Sequence, residues 1–512
     1  MTIMNNIYKL SFIALIFAFT SCDDVTDIDQ PGRFSADIAY QNVEDLSLGL
    51  LGAYNEVDIT NMIGFASTFT DEISIGITNG GQGISDGRIN YILDATSGAP
   101  ASVWTNQYDA INSSTRLIEA AANITPDPDE PGQQFFYNII LAQAYCIRAW
   151  SHFNLFAYFS PSYTDDSVLC AIAIDFVPSV DDQFGRNTVG EVVALINADL
   201  DRAESLFPGG QFQLPRTFMG PDFVTALRAR LAAYREDYAQ AGSLAEQLTD
   251  KYPLADRTQY FNMYEDTDDT EVIFKLERSV NDPYDAQATG GGGWAGALYA
   301  FVNATINGSP YFEMSRSLYN AFDPNDIRLE RALDPSSTPD PNYQSNPNFE
   351  NDDVLVIRKY PGSDGQPLMN DLKVFRASEM VLIEAEAAAA QGDLAGAASF
   401  IKEIRDARLG TNTAMMNFAS AEEAFGAILD ERRLEFCYEG HRYLDLKRLG
   451  ARGKRDITRD PLDCQKYGAC EDSDFYPTSS RQNENSYKFT FPIPLVEQNG
   501  NAVIRDQQNP GY

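Results

Sequence analysis

Glu236-Asp237-Tyr238-Ala239-Gln240-Ala241 and Gly392-Asp393-Leu394-Ala395-Gly396-Ala397 are two versions of one turn. The first joins the apolar-periodic runs Asp222 to Arg235 and Tyr238 to Leu248. The second joins Ser378 to Gln391 and Leu394 to Leu409. A period near 3.6 on both sides of a short polar turn predicts two antiparallel helix pairs. Small residues open each second helix, which suits helices that approach closely. Paired helices of this kind cannot bury their apolar faces alone, so the two pairs are expected to stack on each other despite the long segment between them.

Helical periodicity dominates elsewhere too. Gln133 to Phe159 is a long amphipathic stretch that stops before Pro161, and Thr188 to Phe207 places Val192, Leu195, Ile196, Leu200 and Ala203 on one face before Pro208. Ser420-Ala421-Glu422-Glu423 is a capping box that opens a further helix, predicted to run to Gly440. Between the helices lie loop-rich regions: Asn61 to Pro100, with a short β-like run at Asp71 to Ile75; Asn281 to Pro310, with the glycine run Gly290 to Gly293; and Asp334 to Asp353. The fold class is mainly α: tetratricopeptide-like helix pairs forming an α-solenoid scaffold, with long irregular loops and a few short strands.

The 512 residues are 44% apolar and 22% charged, an ordinary globular balance, but the formal net charge is −36. Such a surface repels phosphate backbones, so nucleic acid is not an expected partner. Only two histidines exist, His152 and His441, and no H-E-x-x-H motif, which leaves zinc chemistry and His-activated nucleophiles almost without raw material. Both histidines are read as packing residues.

Lys9 precedes the apolar run Leu10 to Phe19, too short to span a bilayer and long enough for a signal peptide. It ends in Ser21-Cys22, which resembles a bacterial lipobox with Cys22 as the acylated, palmitate-type N-terminus. The expected organisation is a signal peptide over 1–21, a lipid-anchored tether over 22–34 and a single domain over 35–512, with an N-terminal helical half to about 255 and a C-terminal half from 256. Export permits disulfides. Cys464 and Cys470 flank a short loop and are the natural pair, whereas Cys146 and Cys437 fall within helical patterns and read as small buried hydrophobes.

Glu431, Glu435 and Glu439 recur every fourth residue, interleaved with Arg432 and Arg433 and followed by Arg442, Asp445, Lys447 and Arg448. A paired-carboxylate glycosidase site is one reading. A buried ion-pair network that fixes helix packing is the simpler one. The same stretch, Glu431-Arg432-Arg433-Leu434-Glu435-Phe436 with Glu439-Gly440-His441-Arg442-Tyr443-Leu444-Asp445-Leu446-Lys447-Arg448, together with a strand at Phe491-Pro492-Ile493-Pro494 and the terminal Gln508-Asn509-Pro510-Gly511-Tyr512, resembles the C-terminal signature of the SusD/RagB family. Trp104, Tyr108, Ile111 and Asn112, then Ala144-Tyr145, Arg148-Ala149-Trp150, Phe153 and Leu155-Phe156, are similar to its N-terminal helices, and Arg376, Glu379 and Ile383 to Ala387 to its central pair. The resemblance implies a non-catalytic lipoprotein exposed at the outer face of the outer membrane. It would capture an oligosaccharide, or in some members a peptide, and close as a lid over a SusC-like TonB-dependent transporter. A surface glycoside hydrolase and a helical-repeat interaction scaffold are the rival classes.

Sugar rings stack their C–H faces on aromatic side chains and hydrogen-bond their hydroxyls to amides, carboxylates and guanidiniums. On that chemistry the candidate ligand residues are Tyr284, Trp294, Tyr299 and Asn303 in one loop region and Asp71, Asn79, Arg88 and Tyr91 in the other, with Trp294 the best single stacking residue because it follows four glycines. The family's glycan contacts come from loops in about these two regions. No catalytic residue and no cofactor is expected. The acids of Asp127-Pro128-Asp129-Glu130 suit an opportunistic structural calcium ion but not an EF-hand, since Asn138 stands where the closing Glu belongs.

Overall fold

The computed structural model describes residues 39–79, 88–282, 293–300, 310–465 and 486–512. The signal peptide and tether, Cys22, Tyr284, Asn303 and the Cys464–Cys470 pairing lie outside them. The helices used below are α1 Val43–Asn55, α2 Thr60–Phe69, α3 Gly98–Ala121, α4 Gln133–Phe159, α5 Val189–Leu206, α6 Pro221–Tyr234, α7 Tyr238–Thr249, α8 Arg257–Met263, α9 Ile327–Ala332, α10 Ala377–Ala390, α11 Leu394–Leu409, α12 Ala421–Glu435, α13 Arg442–Gly453 and α14 Leu495–Gly500. Among the described residues three antiparallel two-stranded ribbons interrupt them, the shortest pairing Gly362–Ser363 with Gln366–Pro367. Strand β1 (Ile73–Ile75) pairs with β3 (Phe312–Met314), and β2 (Val272–Leu276) pairs with β4 (Leu372–Arg376).

The two turns that open the sequence reading are built alike. Glu236 and Gly392 both take left-handed backbone, at φ +59° and +83°. The next residue caps the second helix: Asp237 accepts from the Gln240 amide and Asp393 from the Gly396 amide. Helix α10 packs against α7 as well as against its own partner α11, so the hairpins stack as expected. A Cβ on Gly242 of α7 would lie 2.9 Å from the Ala387 Cβ of α10, which shows how close the stacked helices come. Ahead of these, α3, α4, α5 and α6 pack in series, and α4 is buried on every side from Ile139 onward. One apolar core runs from Val43 through α4 to Ile504.

Several expectations are corrected. The helix opened by Ser420 ends at Glu435 rather than Gly440, because Tyr438 (φ +65°) and Gly440 (φ +88°) turn the chain before α13. Cys437 therefore lies in a turn, although buried as expected, and its thiol is pushed up to about 12 by burial. The capping box is displaced too: Ser420 accepts from Glu423, but the Glu423 carboxylate accepts from the Ala419 amide. Phe491 to Pro494 is extended yet belongs to no sheet, its Phe491 amide donating to the Tyr158 carbonyl at the end of α4. The Asn61 to Pro100 region begins not as loop but as α2, an almost wholly buried helix whose uniform apolarity hides its period.

The chain terminus is held by Arg186. Its guanidinium donates to the carbonyls of Cys170, Leu169 and Gln507 and to Asn509 Oδ1, and Asn509 in turn donates to the carbonyls of Phe159 and Phe491. This explains why the last residues are part of the fold rather than a tail. Gly511, at φ +98°, lies where a Cβ would strike the Tyr487 ring.

Both histidines are buried inside this framework. His152 accepts from the Ile174 amide at Nε2 and contacts the Arg148 carbonyl through Nδ1, which makes Nδ1 the protonated nitrogen of a neutral ring. Burial lowers its pKa to about 3 and that of His441 to about 4. Above pH 6.5 the rings are neutral folded and unfolded, so their contribution is complete there. As pH falls toward 4 the unfolded chain takes up protons that the folded chain refuses, and stability is lost. Glu72 and Glu384, whose folded pKa is raised to about 7, act in the opposite sense over the same range, so the rings are tested one by one. NMR titration of the folded protein is expected to find both imidazoles neutral at about pH 5.5, and a ring protonated at that pH would mean it is not held neutral.

Candidate functional site

The candidate region is the place where the long loops leave the scaffold. Ribbon β1–β3 continues beyond its last pair: the Gly76 amide donates to the Tyr311 carbonyl, Thr78 Oγ1 to the Pro310 carbonyl and Asn79 Nδ2 to the Tyr311 carbonyl. Gly76 is required, since a Cβ there would sit 2.1 Å from the Pro310 oxygen. A second stem forms where Ala300 bridges Pro310 and the Tyr299 carbonyl accepts from the Tyr311 and Phe312 amides. A third forms where the Trp294 indole donates to the Ser279 carbonyl. The residues flanking 80–87, 283–292 and 301–309 are thus held together on α2. Leu298 packs on Gly64 of that helix, with Arg88 beside the same glycine.

Trp294, Arg88 and Tyr311 are half-buried on this face. The remaining predicted contacts inside the described residues, Asp71, Asn79, Tyr91 and Tyr299, are buried among protein partners rather than half-exposed on this face. Asp71 is buried with Arg442 Nε at 2.9 Å and Arg433 Nε at 3.5 Å, and accepts from the Thr458 amide. Burial raises its carboxyl pKa, but the two arginines outweigh that and hold it well below the carboxylate range. Tyr91 is buried against Phe69 with the Arg459 guanidinium over its ring. Asn79 is buried and spends its amide on the stem. Tyr299 is buried with its hydroxyl 2.9 Å from Ser67 Oγ. Trp104 and Trp150 are core residues, as their mid-helix positions predict.

Beneath Tyr299 lies Glu72. Ser67 donates to its Oε2 and the Tyr438 amide to its Oε1. Burial, with the hydrogen bonds opposing it, raises its pKa to about 7. Sequence reasoning missed Glu72, Arg459 and the cluster of Asp58, Thr60 and Arg278. Asp58 two residues before Thr60 reads only as a helix start, and nothing local marks Arg278 as the partner of Asp58.

The Glu431, Glu435, Glu439 ladder is the ion-pair network the simpler reading expects. Glu435 meets Arg376 Nη1 and Arg408 Nη2 at 2.8 Å each and Arg328 Nη1 at 3.3 Å; Glu431 meets Arg328 and Arg405 at 2.6 Å; Glu439 meets Lys359 at 2.8 Å and Arg376 at 3.0 Å. Despite burial, these cations hold the Glu435 carboxyl well below its ordinary value and the Glu439 carboxyl at about 2. A general acid needs the opposite shift. Among the described residues no group of three or more His, Cys, Asp or Glu side chains is placed to hold a metal ion, which includes Asp127 to Glu130.

A stacked helical scaffold that gathers several long loops on one face defines a binding protein of the solenoid class. The comparisons carry this further. The SusD family model matches residues 264–512, and a model described as starch-binding associating with outer membrane matches 51–230. SusD-like protein P2 of Formosa agariphila is 24% identical over 99% of both chains, and SusD-like protein P38 of the same organism is 22% identical over 86% of this chain and 91% of its own. Two solved structures superpose along almost the whole length. One is described as a putative sugar binding protein from Bacteroides vulgatus, with TM-score 0.71, 21% identity, and coverage of 93% of this chain and 99% of that one. The other is a SusD superfamily protein from Bacteroides thetaiotaomicron, with TM-score 0.72, 21% identity, and coverage of 92% and 100%. The chain belongs to the SusD/RagB family, whose members are non-catalytic binding proteins.

Asp71→Asn separates structure from binding at this face. Removing one charge of a buried pair leaves Arg442 and Arg433 uncompensated and is expected to cost about 3–5 kcal/mol in urea unfolding. A variant as stable as the parent would return Asp71 to the list of ligand contacts.

Proposed function

We propose that the chain is a surface-exposed outer-membrane lipoprotein that captures an oligosaccharide and serves as the lid of a SusC-like TonB-dependent transporter. The observation that carries the reading is the convergence of three loop stems on α2, with Trp294 half-buried beside them. Long loops fixed at their bases by a rigid scaffold are the usual carriers of recognition. An indole at the rim of such a face supplies the flat apolar surface on which a pyranose stacks. The starch-binding outer-membrane family that matches residues 51–230 and the sugar-binding description of one structural neighbour support a glycan over a peptide. Cys22 follows an apolar leader and precedes a polar tether, which supports lipid anchoring. The anchor would keep lid and barrel at high effective concentration, so a modest interface between them suffices.

Purified protein incubated with a panel of oligosaccharides and peptides is expected to retain a glycan without cleaving it. Trp294→Ala is expected to lose most of that affinity in calorimetry while its melting temperature stays within a few degrees, because a core tryptophan, not a rim one, costs about 3–5 kcal/mol on truncation. Peptide retention, cleavage of a glycan, or a large fall in melting temperature with affinity intact would each overturn the assignment.

Cys22→Ala is expected to leave the membrane fraction and to lose a co-purifying β-barrel from detergent-solubilised outer membrane. Persistence in carbonate-washed membranes would refute the lipid anchor, and repeated pull-downs of the parent without a barrel would refute the transporter partner.

A further inference from the structure

Trp294 follows directly on glycines, and glycine-rich backbone has the most conformational freedom to lose on ordering. A stacking residue in that position needs something else to fix it. Gly293, the last glycine of the run, is buried, and its carbonyl faces two groups: Thr60 Oγ1 at 3.1 Å and Arg278 Nε at 3.4 Å. Both groups are themselves held by Asp58, and the Thr60 hydroxyl shares its single proton between the Asp58 carboxylate and the Gly293 carbonyl. Asp58 Oδ1 lies 2.5 Å from Arg278 Nη2 and 2.7 Å from Thr60 Oγ1, and Asp58 Oδ2 accepts from the Thr60 amide. The Arg278 amide donates to Asp371 Oδ1 just ahead of β4, so the arginine is fixed at its backbone and at its side chain. Asp58, Thr60 and Arg278 are all buried, and the ion pair is far from either neighbour in sequence.

We infer that Asp58, Thr60 and Arg278 form a clamp that positions Trp294, by holding the Gly293 carbonyl from α2 and from the end of β2. This rests on the reading of Trp294 as the stacking residue. The clamp acts on the backbone before the tryptophan, and the Trp294 indole donates to the Ser279 carbonyl, the residue after Arg278. Backbone and ring of the same residue are therefore referred to one short segment, 278–279. On the far side, Gly296 permits close packing, since a Cβ there would lie 2.7 Å from Leu368 Cα and from the Tyr360 oxygen. Residues 293–296 are thus gripped from two directions. A ring held this way presents its face to a ligand without an ordering cost at binding. Asp58 and Arg278 never touch the ligand in this arrangement; they are positioning residues.

The test needs no ligand. The Gly296, Ala297 and Tyr299 amides are hydrogen-bonded to Leu368, Trp294 and Gly296 and report local opening of the gripped segment. Hydrogen exchange followed by mass spectrometry on the full chain compares the parent with Thr60→Val, Thr60→Ser and Arg278→Lys. Thr60→Val removes the hydroxyl, and Arg278→Lys keeps the charge for Asp58 but not the Nε contact. Each is expected to speed exchange in 294–300 about tenfold, the effect of losing one hydrogen bond to a charged or buried group, with peptides of α4 unchanged. Thr60→Ser is expected to exchange like the parent. Anisotropy of Trp294, taken as the emission difference from Trp294→Phe, should fall in Thr60→Val and Arg278→Lys alike. Parent-like exchange and anisotropy in both variants would overturn the clamp. Acceleration throughout the molecule would overturn it too, by making the cluster a general stability element. If the clamp passes and Trp294→Ala keeps its glycan affinity, the failure lies in the ligand reading and not in the clamp.

Discussion

The Glu435 carboxylate is surrounded by three guanidiniums, and the C-terminal half of the molecule depends on that arrangement. Arg376 reaches it from the end of β4, Arg408 from the end of α11 and Arg328 from α9, while Glu271, just before β2, neutralises Arg376 and Arg408 a second time at 2.6 and 2.8 Å. All of these side chains are at most 2% exposed. Ionised groups leave water at a cost of several kcal/mol each, and only near-complete mutual pairing offsets it. Such pairing fixes relative position more sharply than apolar contact, because a shift of an ångström unpairs several charges at once. The segments between the two helix hairpins, β2, α9 and β4, are therefore tied to the hairpins rather than merely packed on them.

Helix α12 carries this order to the face where the loop stems meet. Around α12, Glu431 and Glu435 point to the arginine cluster, Arg432 pairs with Asp445 at 2.8 Å, and Arg433 turns toward Asp71 and Ser317. Asp71 sits two residues before β1, the strand whose continuation forms the first loop stem. Glu72 receives Ser67 and the Tyr438 amide, and Ser67 reaches the Tyr299 hydroxyl at the second stem. Arg459 fastens the carbonyls of Thr68, Thr70 and Ile89 on the far side. The loop bases are thus anchored to the charged C-terminal segment. The loop bases and the most charged stretch of sequence are one unit.

Much of the scaffold is legible because it depends on local chemistry. The hairpin turns announce themselves by periodic runs on both sides of a short polar turn and by small residues opening the second helix, and α4 and α11 match their periodic runs end to end; the left-handed backbone suits Gly392 but is not legible at Glu236. What misleads is composition without depth. Asp71, Asn79, Tyr91 and Tyr299 have the right chemistry for a sugar, and the same chemistry satisfies buried partners. Only the three-dimensional position of Arg442, Ser67 or Arg459 decides between the two uses, and these partners are far away in sequence. The ladder at Glu431 reads as a buried network from its spacing and the arginines interleaved with it, although the cations it meets, Arg328, Lys359, Arg376, Arg405 and Arg408, lie elsewhere in the sequence. The end of α12 was misread because the four-residue spacing continues through Glu439. The backbone turns left-handed at Tyr438, yet Glu439 still reaches the same network.

Burial of cations also changes what the net charge of −36 means. Arg148, Arg186, Arg230, Arg328, Arg376, Arg408, Arg432 and Arg442 are all interior. Several are matched by interior carboxylates, but Arg186 is surrounded by neutral carbonyl and amide oxygens alone, and burial lowers its pKa to about 10. A chain that uses so many arginines internally leaves an outer surface on which carboxylates far outnumber basic groups. Such a surface raises the free energy of any polyanion approaching within a Debye length, about 8 Å at physiological salt. Stacking on an indole and hydrogen bonding to amides and carboxylates are indifferent to that field when the ligand is uncharged. The excess of surface carboxylates and the half-buried Trp294 indole therefore both suit the uncharged ligand of the proposed function better than a polyanion.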